Sequence, residues 1–199
     1  LMVGKDKRRA TLYAYAQADE TALRQTASET GTPDALSLVA LSDLRTKPMP
    51  EVWKEGRRFA FDVRVRPVRR LLKPLEGAEG GSAKPFRKGA EVDAFLVAAL
   101  RNAAGDESGA SKEPITREEV YRAWLDERFA DAARLDGANL VRMERTRIAR
   151  TRTAEGPDAV FHGELTVTNG EAFAKLLAKG VGRHTAYGYG MLLLRPARS

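Results

Sequence analysis

The stretch Lys179-Gly180-Val181-Gly182-Arg183-His184-Thr185-Ala186-Tyr187-Gly188-Tyr189-Gly190, followed by Met191-Leu192-Leu193-Leu194, sets the frame for the rest of the chain. Two Gly-X-Gly triplets flank five residues, with a helix-forming run before them and a short apolar strand after them. Glycine permits positive φ and close backbone approach, so paired glycines between a helix and a buried strand can present several N–H groups to a ligand. Two readings are open: a helix C-cap followed by a surface turn, or an anion site. Arg183 inside the loop makes phosphate the sharper of the two. A nucleotide P-loop is ruled out, because that motif runs strand, Gly-rich turn, helix and needs a Lys-Ser/Thr pair. The dinucleotide fingerprint fails on the same order of elements.

A chain of 199 residues has room for one or two small domains with real cores. Thirty-four Lys and Arg against 27 Asp and Glu leave a formal charge of +7, and most of the bases are Arg, which suits bidentate phosphate contacts. Cysteine is absent, which excludes disulfides, thiolate chemistry and Cys-ligated metals. His162 and His184 are the two histidines, too few for a site of three histidine ligands. No acidic spacing demands a two-metal nuclease site, so no metal and no cofactor is expected. No apolar run approaches membrane-spanning length, and no membrane partner is expected.

Working outward from the loop, Phe173, Leu176 and Leu177 form the buried side of the preceding helix, with Thr168 and Glu171 read as its capping box. Before it, Phe161, Gly163, Leu165 and Val167 alternate with His162, Glu164, Thr166 and Thr168 as a strand, entered through a turn at Gly156-Pro157-Asp158. Residues 140–153 place Arg142, Arg145, Arg147, Arg150 and Arg152 against Glu144 alone. Period-two alternation fails there, which predicts a strand leading into an extended basic arm. Thr116 with Glu119 caps a helix whose stripe is Val120, Tyr121, Trp124, Leu125 and Phe129, with Trp124 and Phe129 read as core. Residues 91–104 read as a further helix. Residues 77–89 and 105–114 read as flexible loops.

Residues 57–66 alternate, with Phe59, Phe61, Val63 and Val65 on one face and Arg58, Asp62, Arg64 and Arg66 on the other. From 57 to 73 there are seven bases, Arg69 among them, against one acid, so this face is a candidate for RNA or DNA contact. The order from 57 onward is strand, helical insert, strand, strand, helix, strand, a βαββαβ unit. Upstream, 1–3 and 11–16 read as a hairpin, 19–28 as a helix and 36–41 as a strand. That is a βαββαβ unit without its first strand and helix. The chain opens Leu1-Met2-Val3, in what reads as the end of a strand, and a preceding segment is expected. The fold class is therefore α+β, two tandem ferredoxin-like (RRM-like) domains. Residues 1–45 are the remainder of the first, 46–56 a linker and 57–199 the second.

The run Phe161-His162-Gly163-Glu164-Leu165-Thr166-Val167-Thr168, then Phe173 and Leu176-Leu177, then 180–196, resembles the CasE subunit of the type I-E CRISPR Cascade complex. Thr46-Lys47-Pro48 and the strand from Phe59 to Pro67 are similar to that family's domain junction. Val65-Arg66-Pro67 stands where the family usually has Ala-Asn-Pro. The resemblance spans essentially all 199 residues. It implies a metal-independent, cytoplasmic endoribonuclease that cleaves the repeat hairpin of CRISPR precursor RNA by 2′-hydroxyl attack. The product crRNA stays bound, with other Cascade subunits as partners. The family's catalytic histidine and its helping tyrosine lie on the first helix, which this sequence does not contain, so no catalytic residue is assigned. Gly180, Gly182, Gly188 and Gly190 correspond to an RNA-proximal loop, and the arm from Arg145 through Arg147 and Arg150 to Arg152 resembles the segment that grips the hairpin.

His162 reads as a solvated imidazole on a strand, whereas His184, beside Arg183, is placed to meet a phosphate. Neither has a sequence-evident partner for acid–base work on a ribose. A hairpin would be read through A-form shape and contacts to phosphate and 2′-hydroxyl groups, for which arginines are suited. The alternative function is a non-catalytic RNA-binding scaffold.

Overall fold

A computed structural model describes residues 2–3, 10–76, 85–104, 114–147 and 155–197, with 2–3, 10 and 104 described by backbone only. Of the loops expected at 77–89 and 105–114, residues 77–84 and 105–113 lie outside the described residues, as do Arg150 and Arg152. The chain divides into two units, Leu1–Glu51 and Val52–Ser199.

In the first unit, β1 (Met2–Val3) pairs antiparallel with β2 (Ala10–Thr11), so the expected hairpin forms but its second strand stops at residue 11. Helix α1 (Glu20–Thr30) begins where Asp19 accepts the Ala22 N–H. The strand expected at 36–41 is corrected: Pro33–Leu38 is a helix, α2. Thr32 accepts the Ala35 N–H, Pro33 occupies the first turn and Asp34 complements the helix dipole, and these start signals outweigh a short β-prone run.

The second unit holds a four-stranded antiparallel sheet. Its strands are β3 (Arg58–Val65), β6 (Ala133–Thr146), β7 (Gly156–Val167) and β8 (Leu192–Pro196), in the spatial order β6-β7-β3-β8. With helices α3 (Ala94–Ala104) and α4 (Arg117–Phe129) after the first strand and α5 (Gly170–Lys179) after the third, this is the ferredoxin-like α+β arrangement. Between β3 and α3 a short ladder, β4 (Val68–Arg70) with β5 (Glu91–Asp93), takes the first three residues of the run expected as helix. Asp93 then caps α3 by accepting the Phe95 N–H at 2.9 Å.

The core sits between sheet and helices. Phe61, Val63, Phe161 and Leu165 from the strands and Tyr121, Trp124, Leu125 and Phe129 from α4 are buried, so Trp124 and Phe129 are core as expected. Each such side chain contributes about 1.5–3 kcal/mol by leaving water. Phe61 meets Phe129 edge-on at 5.5 Å. Its ring lies over Gly163, where a Cβ would come within 2.7 Å of Phe61 Cζ. The Thr116–Glu119 capping box of α4 is present in both directions. The cap of α5 is Asn169, which accepts the Ala172 N–H at 2.9 Å, and not the Thr168–Glu171 pair.

Register explains the failed alternation in the basic strand. The β6–β7 ladder shifts between Leu135 and Gly137 and again between Leu140 and Arg142. Each irregularity moves the inward set by one residue. The turn expected at Gly156-Pro157-Asp158 is instead strand, with all three residues buried and paired to Thr146, Arg145 and Glu144.

Candidate nucleic-acid interface

The Gly loop follows α5 directly. Gly180, Gly182, Gly188 and Gly190 all have φ between 79° and 81°, and His184, at φ 66°, joins them in the left-handed region. Two of these positions are set by packing as well. A Cβ on Gly190 would stand 2.8 Å from the Val181 nitrogen, and one on Gly182 would stand 2.7 Å from the edge of the Trp124 ring. Loop amides are partly consumed. Val181 N–H donates to the Gly190 carbonyl at 2.8 Å, Gly190 N–H to the Arg64 carbonyl at 2.7 Å, and Gly180 N–H to the Leu176 carbonyl. The N–H groups of Gly182, Arg183 and His184 have no backbone acceptor among the described residues.

Arg183 and His184 converge on one carboxylate. Arg183 Nε lies 2.5 Å from Glu91 Oε1, and the His184 ring donates to Glu91 Oε2 at 2.8 Å. One short strand therefore links two basic elements, because Asp93, at the other end of β5, lies 4.0 Å from Arg145. Arg145 also donates to the Glu155 carbonyl, and Arg147 Nε is 3.4 Å from the Glu155 carboxylate.

The charged face of β3 meets partners from its neighbours in the sheet. Arg58 pairs with Glu164 and Asp136, and Asp62 pairs with Arg195 and His162. Arg64 forms a two-point contact with Asp158, 2.9 and 2.5 Å, and lies over the Tyr189 ring. The acids are contributed by β6 and β7, which a reading of 57–73 alone leaves out. Arg66 is only 3% exposed, and its guanidinium donates to the Thr146 carbonyl at 3.1 Å, so it is a structural arginine.

Asp158 is the hub of that cluster. Fully buried, it accepts from Arg64 and from Tyr189 Oη at 3.2 Å, with Thr146 Oγ1 at 3.4 Å. Burial alone would raise its carboxyl pKa, but the hydrogen bonds and charge of Arg64, with Tyr189 and Arg142, outweigh that and hold it below the usual carboxylate range. The same contact raises the Arg64 guanidinium. The buried Tyr121 phenol, whose pKa burial also raises, donates to Asp93 at 2.8 Å and accepts from Arg117.

On the helix side, a cleft of about 870 Å³ is bounded by residues 68–75, by Arg101 of α3, Arg128 of α4, Leu176 and Lys179 of α5, and by Gly180, Gly182 and Arg183. Among the described residues no carboxylate lines it. Arg69 is held by Glu127 at 2.6 Å, and Arg128 lies over the Trp124 ring. No described carboxylate pairs with Arg70, Lys73, Arg101 or Lys179.

A family model described as CRISPR associated protein matches residues 3–196. The chain belongs to the CRISPR associated protein family. Its fold is similar to that of the CRISPR endoribonuclease Cse3 bound to a 19-nucleotide RNA, with TM-score 0.53 and 21% identity over 77% of this chain and 62% of that one. It is likewise similar to Thermus thermophilus Cse3 bound to an RNA representing a pre-cleavage complex, with TM-score 0.53 and 21% identity over 81% and 66%. The chain thus spans just under two thirds of these Cse3 chains. No curated protein sequence matches it.

In this CRISPR associated protein the expected contact residues that are described fall into four places. Arg69, Gly180, Gly182 and Arg183 meet at the cleft, with His184 at the Glu91 contact beside it. Arg145 and Arg147 stand at the C-terminal end of β6, and Arg64 and Arg66 belong to the Asp158 cluster. Gly188 and Gly190 shape the far end of the loop. Sequence reasoning passed over Arg101, Arg128 and Lys179, which are far apart in the chain and join only when three helices converge. It also passed over Asp158 and Tyr189. A tyrosine between two glycines was the available signal for a buried anchor.

Proposed function

We propose that the chain is the RNA-holding part of a CRISPR precursor-RNA endoribonuclease, which binds the repeat hairpin and retains the crRNA product within Cascade. The observation that carries this reading is the basic line from Arg147 and Arg145, across β5, to Arg183 and His184 at the Gly loop. A line of guanidinium groups along a rigid sheet edge suits phosphates at fixed spacing, while an A-form stem is recognised by shape and by its 2′-hydroxyls. In the proposed reaction, which needs no metal ion, the ribose 2′-oxygen attacks the adjacent phosphorus and the bond to the 5′-oxygen breaks. The 2′-hydroxyl proton passes to a base and the departing oxygen takes up a proton. This leaves a 2′,3′-cyclic phosphate and a free 5′-hydroxyl. No catalytic role is given to a residue of this chain.

A non-catalytic RNA scaffold is the second reading. It is favoured by the engagement of both imidazoles with carboxylates, His184 with Glu91 and His162 with Asp62 at 3.5 Å. Incubation of the chain with a palindromic repeat RNA and with a scrambled duplex, across a salt series, tests the shared part. The hairpin should remain preferred at every salt concentration, whereas parallel decline of both would leave only charge attraction. A cyclic-phosphate product would overturn the scaffold reading.

A further inference from the structure

We propose that the helix-side cleft receives a short single-stranded stretch of RNA flanking the hairpin stem, an inference that rests on the hairpin-binding reading above. The first ground is charge. On the sheet face the arginines of β3 meet carboxylates from neighbouring strands, yet Arg70, Lys73, Arg101 and Lys179 share the cleft with no described carboxylate. Four like charges around one concavity repel each other, and a polyanion threaded through it would relieve that repulsion.

The second ground is size and surface. At about 870 Å³ the cleft has the capacity of a small-molecule pocket. A volume of that order suits a few splayed nucleotides better than a stacked duplex. Its walls also offer apolar surface, including Leu72, which is 82% exposed. Single strands are held by just such a pairing of cations for the backbone with flat or apolar surface for the bases, guanidinium planes included. The third ground is continuity. In the β4–β5 ladder the backbone of Arg70 stands opposite that of Glu91, whose carboxylate holds Arg183 and His184, and Asp93 at the other end of β5 lies beside Arg145. A strand leaving a stem held at Arg145 reaches the cleft by crossing one three-residue strand.

Binding of the full chain to three RNAs tests the assignment: the bare repeat hairpin, the hairpin with a short unpaired extension, and the extended hairpin with its stem scrambled. The wild-type chain should bind the extended hairpin roughly tenfold more tightly than the bare one, as expected for one or two added phosphate contacts. The triple variant Arg70→Ala, Arg101→Ala, Lys179→Ala should lose that gain and keep its affinity for the bare hairpin. These side chains are exposed, so the fold should be retained. Replacement by Arg70→Lys and Arg101→Lys should keep most of the gain, which guards against a merely disruptive effect. An extension that adds no affinity, or a triple variant that loses bare-hairpin binding in the same proportion, overturns the proposal. Equal binding of scrambled and native stems would instead overturn the hairpin reading.

Discussion

Asp158 shows what one residue does in this molecule. Its carboxylate joins β3, the end of β6 and the Gly loop through Arg64, Thr146 and Tyr189. Because its folded pKa lies below the ordinary aspartate value of about 3.9, the stabilisation it supplies is complete above that value and is lost as pH falls through the folded one. The Asp158→Asn variant should lose about 2–3 kcal/mol at pH 7. That is less than the roughly 3–5 of a fully buried broken pair, because Arg64 stays partly solvated. Its acid limb should also be flatter than that of the wild type. Urea unfolding at a series of pH values measures both, and an unchanged acid limb would remove Asp158 from the role. At this scale the sequence was least legible. Arg66 looked like Arg64 by alternation, and only the two strands beside them decide that one is buried and the other half-exposed.

At the scale of an element, the Gly loop was legible because glycine leaves its mark in composition as well as in geometry. Helix, Gly180 stop and apolar strand appear where the pattern 173–194 put them. Gly188 and Gly190 share a backbone conformation but differ in surroundings, since a Cβ at 188 meets open space and one at 190 meets the Val181 backbone. Gly188→Ala should therefore cost about 1 kcal/mol of conformational strain, and Gly190→Ala at least about 2–3. Equal denaturation midpoints for the two variants would argue against the close approach. The basic strand was harder to read. Its two register shifts break the period that identifies a strand, so Ala133–Thr146 was recognised only over its second half. The helix at Pro33–Leu38 was misread because six residues of mixed propensity are settled by their cap, and Thr32-Pro33-Asp34 is a strong one.

For the whole molecule, the net charge of +7 understates how the cations are organised. The arginines of β3 meet carboxylates of neighbouring strands and Arg145 and Arg147 lie near Asp93 and Glu155, while Arg70, Lys73, Arg101 and Lys179 at the cleft meet no described carboxylate. Salt dependence distinguishes the sets. Arg145→Ala or Arg147→Ala should weaken RNA binding to a similar degree for every sequence. Each should reduce the slope of log affinity against log salt by about 0.7–0.9. Arg58→Ala, whose guanidinium belongs to Glu164 and Asp136, should leave the slope unchanged. A slope insensitive to Arg145 and Arg147 would detach the arm from RNA. The chain order of strands and helices in the second unit was accessible from the hydrophobic pattern, but the division of charge was not, since it depends on which strands lie side by side.

Glu91 gives the loop a resident competitor. A visiting anion must displace one carboxylate that occupies Arg183 and His184 together, and a solitary inorganic phosphate gains little by that exchange. A chain of phosphodiesters, already anchored at neighbouring cations, presents its next oxygen at high local concentration and can win. If the loop makes the proposed RNA contact, that exchange favours a polymer over free phosphate or a small nucleotide.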